Sequence, residues 1–133
     1  MKVCLGGTFN SIHRGHAALI GAAFLVSDDV EIGLSSDALA SKKQHPVKPY
    51  AERKRQLDAF LKSRGWSAKI RQITDVYGFA AEKEFEAIVV SEETLDNAYL
   101  INVRRAELGL PGLKIVTIPI IKDAKGQKLS SGD

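Results

Sequence analysis

The sequence predicts an α/β protein with a doubly wound, Rossmann-like and mostly parallel five-stranded sheet that carries helices on both faces. Three observations predict it. Short apolar runs alternate along the chain with segments of helical periodicity, as in consecutive β-α-β units. The run AIVVS, Ala87–Ser91, is continuously apolar, which is typical of a central parallel strand buried on both faces. The first strand ends at two glycines, Gly6 and Gly7, where the chain turns towards a helix.

Five strands and three helices follow from these patterns. The predicted strands are Lys2–Gly6, Val30–Ser35, Ala68–Ile73, Ala87–Ser91 and Leu113–Ile121. The predicted helices are Gly15–Ser27, Tyr50–Ser63, which opens after Pro49, and Thr94–Leu108, which closes at Gly109. No repeat, low-complexity tract or linker divides these elements. Residues 1–133 are therefore predicted to form a single domain.

The composition is that of an ordinary globular protein. The chain has 133 residues, 44% of them hydrophobic and 26% charged, which suffices for one buried core. A net charge of +3 is too small to indicate a nucleic-acid partner. Cys4 is the only cysteine and lies in an apolar run, so no disulfide within the chain is possible. With neither a membrane-length apolar stretch nor a signal peptide, we expect a cytoplasmic protein without nucleic-acid or membrane partners. The oligomeric state stays open.

Ligands of doubly wound sheets bind beyond the carboxyl ends of the strands, near the point where the strand order reverses. The segments that follow the predicted strands therefore matter most for function. They are Gly6–His16, Ser35–Pro49, Thr74–Gly78, Ser91–Thr94 and Lys122–Asp133.

The first of these segments, GGTFNSIHRGH, has the character of a phosphate site. Its glycines allow close backbone approach to a ligand, and a helix that opens near Gly15 points N–H groups and its positive dipole end at an anion. His13 and His16 are spaced so that both rings can reach the same phosphates. The segment lacks the glutamate of the H-E-x-x-H zinc motif and matches neither the dinucleotide fingerprint nor the P-loop. We therefore predict no metal-ligating residue in it.

The same segment resembles the signature of the nucleotidyltransferase superfamily whose motif is H/T-x-G-H, because His13-Arg14-Gly15-His16 fits that motif fully and GGTF precedes it. Later segments resemble the archaeal and eukaryotic family of phosphopantetheine adenylyltransferases. In chain order they are IGLSSDALASKK (Ile32–Lys43), PYAERKRQL (Pro49–Leu57), ITDVYG (Ile73–Gly78), VVSEET (Val89–Thr94), INVRR (Ile101–Arg105) and KLSS (Lys128–Ser131). The likeness covers nearly the whole chain.

This resemblance implies that ATP and 4′-phosphopantetheine are converted to dephospho-coenzyme A and pyrophosphate. The attacking group is already a phosphate, so the rate depends on positioning and on neutralising the negative charge that develops. Mg²⁺ is expected to arrive with ATP, held mainly by phosphate oxygens and water.

Carried over by matched position, the resemblance implies roles for individual residues. The predicted catalytic residues are His16, which stabilises the α-phosphate, His13, and Lys43, which bridges the two reacting phosphates. The predicted ATP-binding residues are Gly7, Thr8, Phe9, His13, His16, Ser91, Asn102, Arg104, Ser130 and Ser131. The predicted residues for the phosphopantetheine substrate are Thr8, Lys42, Lys43, Asp75 and Tyr77.

Three further positions are interpreted separately. Arg53 matches the family arginine of its helix, or else forms a surface ion pair with Glu52 or Asp58. Thr94 belongs to the nucleotide site or is a plain helix N-cap. Arg105 is expected to face solvent.

The end of the sequence departs from the family pattern. The family reads close to I-S-S-T-x-I-R, where the serines and the next helix bind the β- and γ-phosphates. Ser130 and Ser131 fit this pattern, but Gly132-Asp133 replace the residues that follow and the sequence stops there. If the phosphate-binding helix is missing, ATP affinity should fall.

Two other functions stay open at this point. The histidine motif serves phosphate chemistry in general, so a related nucleotidyltransferase acting on FMN, nicotinamide mononucleotide or glycerol 3-phosphate also fits it. The departure in the tail is compatible with a nucleotide-binding module that does not catalyse.

Overall fold

One five-stranded parallel sheet forms the centre of the fold. The computed structural model describes residues 1–42, 46–79 and 82–119. Its elements in chain order are β1 (Lys2–Gly7), α1 (Arg14–Val26), β2 (Asp29–Ser35), α2 (Asp37–Ala40), α3 (Tyr50–Ser63), β3 (Lys69–Ile73), β4 (Phe85–Ser91), α4 (Leu95–Glu107) and β5 (Lys114–Ile118). A short 3₁₀ turn, Glu92–Thr94, joins β4 to α4.

The strand order is β3-β2-β1-β4-β5, and every neighbouring pair is parallel. The chain moves outward from β1 through β2 to β3, then returns to the other side of β1 for β4 and β5. The winding therefore reverses between β1 and β4. The loops after these two strands border the crevice in which sheets of this kind bind ligands. The predicted α/β, doubly wound fold is confirmed.

Helices cover both faces of the sheet, as predicted. On the first face, α1 and α3 pack against β1, β2 and β4 through a core that includes Leu5, Ile20, Ile32 and Leu57. On the second face, α4 packs through Ala98 and Ile101 on a smaller core that includes Cys4 and Ile88. Alternate residues of each strand point to opposite faces, so the central strands are apolar at successive positions.

The observed boundaries lie close to the predicted ones, and Tyr50–Ser63 matches its prediction. The one-turn helix α2 was not predicted. It is too short to show helical periodicity, and it begins at Ser36, whose Oγ accepts a hydrogen bond from the N–H of Leu39 at 3.1 Å. β5 ends at Ile118: the described residue Pro119, predicted to continue the strand, lies outside it, and the predicted residues 120 and 121 lie outside the described residues. Within the described ranges, no helix has the length and apolar character needed to cross a membrane.

Candidate active site

The loop after β1 brings the histidine motif to the reversal point of the sheet. Thr8 and Phe9 are both buried, and Phe9 has a φ of +50°. A Cβ added to Gly7 would lie 2.9 Å from Cε2 of Phe9, so only glycine leaves room for the phenyl ring. The centroid of that ring lies 4.8 Å from the centroid of the His16 imidazole. Phe9 therefore supports His16 by direct packing.

His13 and His16 form a reciprocal cap at the start of α1. His13 is the N-cap residue, and its Nδ1 accepts a hydrogen bond from the backbone N–H of Gly15 at 3.0 Å. The Nδ1 of His16 accepts one from the backbone N–H of His13 at 3.3 Å. The two rings stack with centroids 4.1 Å apart and planes 14° apart. Two N–H groups near the helix start are thereby satisfied by imidazoles rather than by the usual hydroxyl and carboxylate groups.

This cap also selects a tautomer. An Nδ1 that accepts a hydrogen bond carries no proton, so a neutral imidazole in this position must carry its proton on Nε2. Both histidines are thus held as Nε2–H donors by the backbone of their own helix. Donors of this kind suit the oxygens of a phosphate group.

Arg53 is buried, which corrects the alternative of a surface ion pair with Glu52 or Asp58. Its side chain is 0% exposed and donates hydrogen bonds to three backbone carbonyls, those of Thr8 at 3.1 Å, Ser35 at 2.9 Å and Lys48 at 2.7 Å. Its Nη2 also pairs with Oδ1 of Asp37 at 2.9 Å. Arg53 precedes the buried Leu57 and Leu61 at i, i+4 and i+8 spacing, so the periodicity of α3 was a signal for its burial that its charge obscured. Arg53 braces the ends of β1 and β2 against the start of α3.

Asn10 ties the histidine loop to the segment that enters α3. Its Oδ1 accepts a hydrogen bond from the N–H of Lys48 at 2.8 Å, and its Nδ2 donates to the carbonyl of Pro46 at 3.4 Å. Sequence reasoning missed this residue; its only signal was an amide side chain inside the motif. Lys42, on the other flank of the same connection, is exposed after α2. The predicted catalytic Lys43 lies outside the described residues.

The end of β4 lies beside the end of β1 and carries the Ser91–Thr94 segment. Ser91 is half-buried, and its backbone N–H donates to Oγ1 of Thr94 at 3.2 Å. Thr94 immediately precedes α4, as the N-cap interpretation expected, although its side chain satisfies the turn before the helix rather than α4 itself.

The predicted nucleotide residues on α4 lie further along that helix. The side-chain amide of Asn102 exchanges two hydrogen bonds with the backbone of Leu113, at 2.7 and 3.0 Å. Asn102 therefore joins α4 to the start of β5. Ser130 and Ser131 lie outside the described residues.

Arg105 is buried, so the expectation that it faces solvent is wrong. It is 1% exposed, and its guanidinium donates to the backbone carbonyls of Pro111 at 2.7 Å and Glu82 at 2.8 Å. Its neighbour Arg104 is the exposed one of the pair, with Nη1 3.5 Å from Oε1 of Glu107. Two adjacent arginines on a helix lie about 100° apart, and Arg105 follows the buried Ala98 and Ile101 at helical spacing, so the periodicity of α4 was a signal for its burial.

A pocket of about 460 Å³ opens between the end of β3 and the last turns of α4. It brings together Asp75 and Tyr77, both predicted to bind the phosphopantetheine substrate, with Arg104, predicted to bind ATP. Asp75 also accepts a hydrogen bond through Oδ1 from the N–H of Tyr77 at 2.8 Å, which shapes the loop. The remaining lining residues are Arg71, Gln72, Ile73, Thr74, Gly78 and Leu108.

Comparison with known proteins agrees with this geometry. A family model described as cytidylyltransferase-like matches residues 4–133, nearly the whole chain. This chain belongs to the cytidylyltransferase-like family. The strand-end histidine loop and the doubly wound sheet are therefore those of a family member.

Curated relatives show which enzymes the chain resembles in sequence. The phosphopantetheine adenylyltransferase of Pyrococcus furiosus is 46% identical over 98% of this chain and 84% of its own length. The enzyme of the same name from Thermococcus kodakarensis is 46% identical over 98% of this chain and 81% of its own length. The likeness to phosphopantetheine adenylyltransferases expected from the sequence is confirmed.

Solved structures support the fold. A crystal structure of an Archaeoglobus fulgidus protein described as having unknown function superposes with a TM-score of 0.81 at 38% identity, covering 89% of this chain and 98% of that one. A Thermoplasma volcanium protein described as a lipopolysaccharide core biosynthesis protein superposes with a TM-score of 0.70 at 20% identity, covering 89% of this chain and 95% of that one. The second likeness concerns the fold alone.

Proposed function

We propose that this chain transfers the adenylyl group of MgATP to 4′-phosphopantetheine, releasing pyrophosphate and forming dephospho-coenzyme A. The observation that carries the proposal is that relatives named phosphopantetheine adenylyltransferase match 98% of the chain at 39–46% identity. The paired histidines at the reversal point of the sheet support it, because a phosphate-handling loop belongs at that place.

In the proposed reaction, an oxygen of the acceptor phosphate attacks the α-phosphorus of ATP. The new P–O bond forms as the bond from the α-phosphorus to the bridging oxygen of the β-phosphate breaks, and pyrophosphate leaves with that oxygen. No covalent enzyme intermediate is needed. The work of the protein is to align the two phosphates and to stabilise negative charge on the α-phosphate oxygens.

The histidine cap suits that work. We assign the Nε2–H of His16 to the α-phosphate and that of His13 to the neighbouring phosphates, with the N–H groups at the start of α1 adding to the positive potential. Because Nδ1 of each ring is held by the backbone, the donors need no reorganisation when charge develops. We assign Gly7, Thr8, Phe9 and Ser91 to the same nucleotide site, since they lie at or just after the ends of β1 and β4. Lys42 and Lys43 are assigned to the charge between the two reacting phosphates.

Mg²⁺ enters in this proposal as part of the nucleotide substrate. In the described ranges, no three His, Cys, Asp or Glu residues are grouped as metal ligands. We expect phosphate oxygens and water to supply most of the coordination, which is the usual arrangement for Mg²⁺ on a triphosphate.

The pocket beyond β3 is assigned to the acceptor. Its volume fits an extended small molecule, and Asp75 and Tyr77 supply polar groups for an amide-rich arm. Arg104 lines this pocket, so its cationic side chain is assigned to the acceptor rather than to ATP. We expect the activity in the cytoplasm. Cys4 is a buried free thiol, and a reducing compartment keeps such a thiol in this state.

The test is turnover of the purified chain with ATP and Mg²⁺, measured as pyrophosphate release and as formation of dephospho-coenzyme A. Parallel reactions contain FMN, nicotinamide mononucleotide or glycerol 3-phosphate as acceptors, and CTP as donor. Phosphopantetheine with ATP should be the fastest pair, and chelation of Mg²⁺ should stop it. Faster adenylylation of another acceptor would replace the proposal with that reaction. ATP binding without turnover of any pair would indicate a non-catalytic module.

A further inference from the structure

Residues 74–84 connect β3 to β4, which lie on opposite sides of β2 and β1, and Phe79 of this connection packs in the core of the second face; we call the connection the crossover. Its described residues, 74–79 and 82–84, contain no helix, although a helix is the usual link between parallel strands. A helix would hold itself together through its own backbone hydrogen bonds. The position of this crossover must depend largely on side chains of other elements.

Arg71 of β3 supplies one such anchor. Its Nη1 donates to Oε2 of Glu82 in the crossover at 2.6 Å, and its Nε lies 2.6 Å from Oε2 of Glu31 on β2. Glu31 is 1% exposed and has Lys2 and Lys69 as more distant partners, each at 3.9 Å. If Arg71 turned away to meet a ligand, a buried carboxylate would lose its nearest cation. That is costly, so the guanidinium is committed to the sheet and the crossover.

The crossover is held at the same place by packing. A Cβ on Gly33 of β2 would lie 2.8 Å from the Phe79 ring, so the ring sits directly on the backbone of that strand. The guanidinium of Arg71 lies 5.3 Å from the centroid of Phe79 and 5.9 Å from that of Phe85. From the α4 side, Arg105 donates to the carbonyl of Glu82.

These anchors determine one wall of the pocket. Asp75 and Tyr77, between Arg71 and Phe79 in the chain, line the pocket together with Arg71 itself. The loop that carries them is exposed to solvent, so packing of its own side chains does little to fix its position. Its position is set by β3 on one side and by the contacts of Phe79 and Glu82 on the other.

We propose that Arg71 is a positioning residue for acceptor binding, which acts through Glu82 to hold Asp75 and Tyr77 where the acceptor binds. The inference rests on the proposed function, because it takes the pocket as the site of phosphopantetheine. It assigns to Arg71 and Glu82 an effect on the acceptor and not on ATP, whose proposed site lies at the histidine loop.

The test compares Arg71→Met and Glu82→Gln with wild type by calorimetric binding of phosphopantetheine and of ATP, together with steady-state KM and kcat. Both variants should weaken acceptor binding by about tenfold. ATP binding should stay within about twofold of wild type, and the double variant should be no worse than the more affected single variant, because the two residues act as one unit. Glu82→Gln leaves the Arg71–Glu31 pair intact and so separates the effect from loss of folding.

Two matched controls are available. Glu84→Gln removes a carboxylate from the same crossover, but Glu84 pairs with Lys2 at 3.8 Å and not with Arg71. Lys69→Ala removes an exposed cation from the same strand and from the surroundings of Glu31. Both should bind the acceptor as wild type does.

The sign of the Glu82→Gln effect distinguishes positioning from direct binding. If Arg71 itself bound a negative part of the acceptor, removal of the Glu82 carboxylate would release the guanidinium and strengthen binding. Stronger or unchanged acceptor binding in Glu82→Gln therefore overturns the inference, as does equal weakening of ATP and acceptor. A wild type that binds ATP but not phosphopantetheine contradicts the proposed function and the inference together. If the wild type binds phosphopantetheine and Glu82→Gln binds it equally well, the inference is contradicted but the proposed function is not.

Discussion

His13 and His16 cap the same helix from opposite directions: His13 accepts from the N–H of Gly15, and His16 accepts from the N–H of His13 itself. The stacked rings therefore serve the fold and the proposed chemistry with different nitrogens. Nδ1 stabilises the start of α1, and Nε2 carries the proton assigned to phosphate. Substitutions that mimic one nitrogen but not the other can separate the two roles.

We expect His16→Asn and His16→Ala each to lower kcat by about two decades or more, because both remove the Nε2–H donor. They should differ in stability. The side-chain oxygen of asparagine can replace Nδ1 as acceptor for the N–H of His13, whereas alanine loses the cap at a cost of about 1 kcal/mol. Pyrophosphate release measures the first effect and urea unfolding the second. Near wild-type kcat in either variant would contradict the assignment of His16.

Arg53→Met should destabilise the protein by about 3 kcal/mol, because three backbone carbonyls, two of them buried, lose their donor and Asp37 loses its cationic partner. Arg53→Lys should recover only part of this, since one ammonium cannot reach all four acceptors. Arg55→Met is the matched control on the same helix; Arg55 is 73% exposed and pairs with Glu52 at 3.8 Å. It should change the free energy of unfolding by less than about 0.5 kcal/mol. Equal losses of stability in Arg53→Met and Arg55→Met would contradict the role of Arg53 in holding the ends of β1 and β2 against α3.

Gly7→Ala and Gly21→Ala should have opposite effects. At Gly7 the new methyl group would overlap the buried Phe9 ring and displace it from His16, so we expect a loss of about 1–3 kcal/mol together with lower kcat. At Gly21, inside α1, the methyl group would meet Trp66 at an ordinary contact distance of 3.5 Å. That change should stabilise the protein by about 0.5–1 kcal/mol through helix propensity. Thermal unfolding checks both signs.

Burial raises the pKa of the Cys4 thiol from 9.0 to about 12. The unfolded chain thus loses the thiol proton at lower pH than the folded protein, and the unfolded state gains stability as pH rises above 9. The Cys4 thiol contributes its full share to the free energy of unfolding below pH 9, and this contribution is lost between pH 9 and 12. The slope is at most about 1.4 kcal/mol per pH unit.

Unfolding at several alkaline pH values, compared with Cys4→Ala, measures this loss. The variant should show a shallower decline of stability in that range. The native thiol should also resist a thiol reagent at pH 8 and react only after unfolding. Rapid labelling of the folded protein would show that Cys4 is not buried as described.

Much of the fold was readable from local patterns. The strand AIVVS and the helix Tyr50–Ser63 each carry their own periodicity, and parallel connections leave few ways to join such elements. The histidine loop was also readable, because its glycines and its two imidazoles lie within one short segment. A local site needs no knowledge of distant residues.

The tertiary structure decided which polar residues are buried and what they hold. Arg53 and Arg105 look like surface charges in the sequence, yet each lies in the interior and donates to backbone carbonyls of more than one segment, some of them far away in the chain. Arg71 of β3 pairs with Glu82 of the crossover, eleven residues further along the chain. Helical periodicity can place an arginine on the buried side of its helix, but it does not show the carbonyl partners that offset the cost of burying the charge. The sequence by itself therefore determined the fold class, the phosphate loop and the family likeness, whereas only the packed structure showed the arginines that hold the proposed sites in place.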